Sequence, residues 1–290
     1  MFIILVIEEP ALIYESRLDY IMRLLKTSEI SKIIAKADIV AEVVEARAPL
    51  ALKSGIVEGI ARKFGRDYLL ILNKCDLVPQ NICREWVEYF ASNRSINAIC
   101  VSAVKKVGIK KLMQVFMDKL KKVDSLNVAL FGLPKVGKSS LINALKKKDS
   151  APTSPYPGSW GYTKGVTIYK VAPGVYIIDT PGYIPFDVKG LEVLIRSQPV
   201  ELINNPVRAA TELLKLVLKH NAKSIERAYT VRSSDPLEIL MHIAIKRGWF
   251  YKKDGEPNIE EAARAVIRDY LDGKIRFYLT PPARKLSNSS

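Results

Sequence analysis

Gly132, Gly137, Lys138 and Ser139 stand in the string GLPKVGKSS with the spacing of a phosphate-binding loop: glycine, four open positions, glycine, lysine, hydroxyl. Residues of these types do one kind of chemistry together. The glycines let backbone N–H groups turn inward on phosphates, Lys138 offers a cation to the β and γ phosphates, and the Ser139 hydroxyl is a ligand for Mg2+. Ser140 is assigned to the α-phosphate, and Lys135 and Val136 lie inside the loop. The apolar run Leu126 to Phe131 ahead, and Leu141-Ile142-Asn143-Ala144-Leu145 behind, supply the strand and helix that such a loop must join.

Three further motifs suit the same ligand. Asn73-Lys74-Cys75-Asp76 follows the run Asp67 to Leu72, which reads as a buried parallel strand, so the motif falls at a strand's carboxyl end, where open α/β sheets bind ligands. A carboxylate there accepts from two adjacent N–H groups of guanine, and adenine offers no such pair. Asp76 is therefore the expected base selector, with Asn73 and Lys74 as its structural partners. The run Ile96 to Val101 ends in Ser102-Ala103, whose backbone is placed to meet the guanine O6. Gly174 to Ile178 leads into Asp179-Thr180-Pro181-Gly182, in which Asp179 would hold Mg2+ through water and the Gly182 N–H would sense the γ-phosphate. Between the phosphate motifs, Thr163 is the candidate switch threonine that closes on Mg2+; Thr167, second, reads better as an outward strand residue. Lys138, Thr163 and Gly182 are the groups assigned to catalysis.

The order is inverted, with the base motif ahead of the phosphate loop. In that order the chain resembles the circularly permuted GTPases of the YlqF/YawG type, from about Ala37 to Pro282. Ala46-Arg47-Ala48-Pro49 is similar to the family's D-A-R-x-P, with Glu45 in place of Asp, and Gly248 to Ile275 is similar to its C-terminal helical region. The resemblance implies a GTPase that uses Mg2+ and assists large ribosomal subunit assembly, with GTP, GDP, the large subunit and its rRNA as partners. Tyr183 stands where Ras-like enzymes carry a water-orienting Gln, so weak hydrolysis is expected from the protein alone. Many relatives carry Asn at the place of Lys135, where it helps bind a monovalent cation. Lys135 is then either a tethered substitute for that ion or a residue pointing to solvent.

Composition fits a polyanionic partner. The 290 residues carry a formal net charge of +15. Between Ala103 and Ser150 twelve Lys face three acidic residues, which reads either as a solvated helix face or as an RNA-facing surface. Cys75, Cys83 and Cys100 are too few and too irregularly spaced for a disulfide framework or zinc site, and a reducing cytoplasm is the expected location. His220 and His242 read as packing or surface residues. Met1 to Ile7 is too short for a signal peptide or membrane span, so no membrane partner is expected.

The expected fold class is α/β: a doubly wound P-loop domain with a parallel sheet over 1–185, including a helical extension at 11–36. Leu52 to Phe64, Ile82 to Ala91, Ile109 to Lys122 and Lys138 to Lys147 serve as its crossover helices. A smaller all-helical region follows over 186–282, with Asp235 and Asn258 as helix starts, Gly273 as a stop, and Lys246, Arg247, Lys252 and Lys253 as candidate RNA contacts. Residues 283–290 form a loose tail. A monomer is favoured. The functional reading is GTP-dependent docking on rRNA with release on hydrolysis; the alternative is a nucleotide-gated RNA-binding checkpoint with incidental hydrolysis.

Overall fold

The computed structural model describes residues 26–146, 152–153, 166–181 and 187–282. Expectations for residues 1–25, Thr163, Gly182, Tyr183 and the 283–290 tail concern residues outside these.

Uninterrupted apolar runs make the central strands. β1 (Ile39–Glu45), β2 (Asp67–Asn73), β3 (Asn97–Cys100) and β4 (Leu126–Phe131) join β5 (Pro152–Thr153), β6 (Thr167–Ala172) and β7 (Val175–Asp179) in one sheet of order β3-β2-β1-β4-β7-β6-β5. The first five strands in that order are mutually parallel. The last two correct the expectation of a wholly parallel sheet, since β6 runs antiparallel to β7 and β5 to β6. The cause is local: Pro173-Gly174, with Gly174 at φ +74°, turns the chain straight back, whereas a parallel return needs a crossover of about a dozen residues or more.

Helices cover both faces. α1 (Thr27–Lys36) lies within the expected helical extension, and α2 (Pro49–Leu52) and α3 (Gly55–Lys63) divide the expected 52–64 helix. The break falls at Ser54, whose hydroxyl accepts from the Ile56 and Val57 N–H groups and so caps α3. α4 (Gln80–Arg94), α5 (Ile109–Leu120) and α6 (Lys138–Leu145) complete the crossovers. Leu70, Trp86, Phe90, Phe116 and Leu141 belong to one buried apolar cluster, and Ile30, Ile34, Val57 and Phe131 to a second.

After residue 187 the chain is helical. α7 (Leu191–Ser197), α8 (Pro206–Tyr229), α9 (Pro236–Lys246) and α10 (Ile259–Leu271) enclose their own core of Leu213, Leu214, Ile239, Leu240, Val266 and Phe277. The sequence signals for its helix ends hold. Asp235 accepts from the Leu237 N–H, Asn258 from the Glu261 N–H, and Gly273 at φ +82° follows α10. The chain then returns to the sheet. Tyr278 and Leu279 pack against the larger core, the Leu279 N–H donates to the Arg47 carbonyl (2.8 Å), and Trp86 Nε1 donates to the Leu279 carbonyl (3.0 Å).

Candidate nucleotide-binding site

The phosphate loop joins β4 to α6 along a path only glycine fits. Gly132 has φ +144°, and a Cβ there would lie 2.3 Å from the Val43 carbonyl oxygen. Gly137 has φ +96°, and its Cβ would lie 2.4 Å from Asn73 Nδ2. α6 begins immediately afterwards and leaves Ser139 and Ser140 exposed in its first turn, beside the unpaired N–H groups of a helix start. Lys138 is buried, and its ammonium donates to the carbonyls of Gly132 (2.8 Å) and Leu133 (3.1 Å). Burial lowers Lys138 to about 8, opposed by the charge of Asp179. Asp179, at the end of β7, is raised by its own burial, with Lys138 opposing, and its Oδ1 is buried without a hydrogen-bond partner among the described residues. The Thr180 hydroxyl donates to the Leu130 carbonyl (2.8 Å) and pins this segment to β4, a role the sequence reading did not assign.

The base loop is tied to the phosphate loop by Asn73. Its Nδ2 donates to the carbonyls of Val136 (2.9 Å) and Gly137 (3.4 Å), and its Oδ1 accepts from the Ala103 N–H (3.2 Å). One amide thus connects three motifs far apart in sequence. Lys74 follows in the left-handed conformation at φ +58°, and Asp76 lies in the 3-10 turn Cys75–Leu77. Asp76 is exposed, and its carboxylate makes no hydrogen bond among the described residues. Ser102 is buried, its N–H and carbonyl pair with Val107, and its hydroxyl accepts from the Lys105 N–H (3.1 Å). With the Ala103 N–H on Asn73, both N–H groups of Ser102-Ala103 are engaged inside the protein.

Lys135 is tied to the helical region. It has φ +62°, and its ammonium donates to the carbonyls of Ile195 (3.1 Å) and Gln198 (2.7 Å) at the end of α7. Among the candidate RNA contacts, Lys246 donates to the Tyr229 carbonyl (3.0 Å), and Arg247 pairs with Asp269 (3.2 Å) and lies over the Trp249 ring. Lys252 and Lys253 are exposed in a turn. Both histidines lie exposed on helices, and the described residues contain no cluster of His, Cys, Asp or Glu that could hold a metal.

A buried charge cluster beside the base loop also escaped the sequence reading. Glu45 ends β1 and accepts at Oε2 from Lys74 Nζ (2.8 Å) and Arg196 Nη1 (2.9 Å), while Oε1 accepts from Arg47 Nε. Arg196 also pairs with Glu192 (2.8 Å), to which the Tyr270 hydroxyl donates. Arg47 Nη1 donates to the Tyr270 carbonyl (2.8 Å), and the guanidinium lies 4.0 Å over that ring. Burial alone would raise Glu45, but Arg196, Arg47 and Lys74 overcome it and hold the carboxyl at about 2. The motif Ala46-Arg47-Ala48-Pro49 had marked the place without revealing these partners.

A phosphate loop after β4, a base loop after β2, Ser-Ala after β3 and D-T-P after β7 all meet at one carboxyl edge of the sheet, which defines a P-loop guanine-nucleotide fold with circularly permuted motif order. Residues 127–242 match the family model described as 50S ribosome-binding GTPase. The chain is 31% identical over 266 residues to Nucleolar GTP-binding protein 2 of Eremothecium gossypii, covering 89% of this chain and 52% of that protein. An uncharacterized GTP-binding protein of Methanocaldococcus jannaschii is 30% identical over 252 residues, covering 86% and 65%. The chain therefore spans about half to two thirds of these relatives' length. GNP-bound YlqF from T. maritima superposes with a TM-score of 0.58 at 26% identity, covering 85% of this chain and 93% of that one. A GDP-bound YlqF gives 0.60 at 25%, covering 88% and 99%. In fold and motif order the chain thus resembles the YlqF-type circularly permuted GTPases.

Proposed function

We propose that this protein binds and hydrolyses GTP, docks on large-subunit rRNA in the GTP state, and leaves on hydrolysis. The observation that carries the reading is Asn73, which fastens to the phosphate loop the loop bearing Asp76, exposed and without a hydrogen bond among the described residues. Asp76 would accept from the two guanine N–H donors. Lys138 would exchange the carbonyls of Gly132 and Leu133 for phosphate oxygens, whose charge favours its protonated form.

The donor set fits Mg2+. Asp179 Oδ1, buried and unpartnered among the described residues, and the exposed Ser139 hydroxyl are hard oxygen donors, with Thr163 as a third by sequence position. Bound there, Mg2+ would neutralise charge on the β- and γ-phosphate oxygens. Gly182 would read the γ-phosphate, and Asp187, just beyond it, anchors the chain by accepting from the Gly55 (2.7 Å) and Ile56 (3.1 Å) N–H groups at the start of α3. With Tyr183 in place of the water-orienting Gln, hydrolysis is slow until a ribosomal particle supplies help.

We retain the division into a G domain (1–185), a helical RNA-binding region (186–282) and a tail, a monomeric state, and a cytoplasmic location; "nucleolar" belongs to the relatives' names. No helix among the described residues is long and apolar enough to cross a membrane. Co-sedimentation with both ribosomal subunits tests the cycle. Large subunits should retain more protein with a non-hydrolysable GTP analogue than with GDP, and replacing Lys252 and Lys253 by Gln should lower retention and flatten its salt dependence while leaving GDP affinity unchanged. Equal retention in both nucleotide states, or preference for small subunits, contradicts the proposal.

A further inference from the structure

The base loop is not held by its own neighbours in sequence. Lys74 occupies a left-handed conformation that is strained for any residue with a side chain, so something must hold it there. Its ammonium is fixed at two points, Glu45 Oε2 (2.8 Å) and the Leu271 carbonyl at the end of α10 (3.4 Å). That same Glu45 oxygen accepts from Arg196 of α7. Gly273, just past α10, presses on Leu77 in the turn that carries Asp76; a Cβ there would lie 2.7 Å from the Leu77 side chain. Lys135 of the phosphate loop ends on the carbonyls of Ile195 and Gln198, which flank Arg196 on α7.

We propose that Arg196 and the end of α10, both in the helical region, act with Glu45 as positioning groups of the base site, holding the left-handed turn at Lys74 that presents Asp76 to guanine. Base recognition then requires the helical region to be docked on the sheet. A movement of α10 loosens the base loop while leaving the glycines and Lys138 of the phosphate loop in place, whereas a movement of α7 also releases Lys135. This deepens the GTP-binding reading above and rests on it.

The test displaces fluorescent GDP from the full-length chain with GDP, ADP or inorganic pyrophosphate, the last engaging only the phosphate end. Arg196→Lys should cut the preference for GDP over ADP at least about tenfold while pyrophosphate affinity stays within about twofold. Gly273→Ala should act in the same direction through Leu77 without altering the buried ion pairs, and it decides the matter if the Arg196 variant fails to fold. In a Lys74→Ala background, Arg196→Lys should add no further loss, because both act through one side chain. Additive losses, or folded Arg196→Lys and Gly273→Ala proteins that keep the wild-type preference, overturn the positioning role. Wild-type protein with no preference for GDP would instead refute the GTP-binding reading itself.

Discussion

The two ends of the nucleotide site are built by different means. The phosphate end is largely local: two glycines, Lys138 and a helix start lie within one short string, braced from elsewhere by Asp179, Thr180, Asn73 and the α7 carbonyls that hold Lys135. The base end draws on three distant parts of the chain, with Lys74 held by Glu45 of β1, Glu45 by Arg196 of α7, and the adjoining turn packed on Gly273. A phosphate is gripped by backbone and charge, which one loop supplies. A base edge is read by a single carboxylate, whose aim is only as good as the framework behind it.

Acidity separates the two ends most sharply. Lys138 is lowered to about 8 by burial, and its ammonium is the form that attracts phosphate, so its proton is lost as pH rises through that value. GDP affinity should be level below pH 7 and fall by up to about tenfold per pH unit above 8. Lys138→Met should remove that slope. Glu45 is held ionised down to about 2, and although burial lowers Lys74, the Glu45 charge opposes that shift, so preference for guanine over adenine should stay constant from pH 6 to 8.5. A preference that falls in step with affinity would break the distinction. Isothermal titration across this range measures both.

A smaller effect contrasts two carboxylates on one strand. Glu42 and Glu45 are both buried in β1, but Glu42 meets the Tyr68 hydroxyl and the Ser54 N–H (2.6 Å), and desolvation raises it to about 7. The signs are opposite. Glu45, lowered, contributes stability present above its ordinary value near 4.5 and lost as pH falls towards 2. Glu42, raised, imposes a penalty that is absent below 4.5, grows between 4.5 and 7, and is complete above 7. Glu42→Gln keeps one oxygen for the Ser54 N–H and turns an amide N–H to the Tyr68 hydroxyl, which then accepts, and should melt several degrees above wild type at pH 8.5 and about level with it at pH 4.5. An unchanged difference at the two pH values would show that Glu42 does not titrate in the folded protein.

The same contrast explains what could be read from the sequence. GLPKVGKSS and Asn73-Lys74-Cys75-Asp76 are contiguous, their chemistry is carried by residue type, and the strands before them are plain apolar runs, so the phosphate loop and the candidate base selector were legible. The antiparallel edge was legible too, in Pro173-Gly174, but the strand pattern alone suggested a parallel sheet. Arg47 and Arg196 were not legible. A buried guanidinium looks like any surface arginine until the fold brings Glu45 and Glu192 to it, and Glu45 to Arg196 spans 151 positions. The tie of Lys135 was hidden for the same reason. Position within a phosphate loop suggested a ligand contact, while the partner that claims its ammonium, the end of α7, lies 60 positions downstream.

Competition binding on Asp76→Asn tests the central claim most directly, because Asp76 is exposed, without a hydrogen bond among the described residues, and removable without disturbing the cluster behind it. The amide can donate to the 2-oxo group of xanthine, where the carboxylate could only accept. Wild type should hold GTP over both ATP and xanthosine triphosphate, and Asp76→Asn should lose GTP and gain xanthosine triphosphate at unchanged thermal stability. A wild type that binds ATP as tightly as GTP, or a variant with unaltered base preference, would contradict the account.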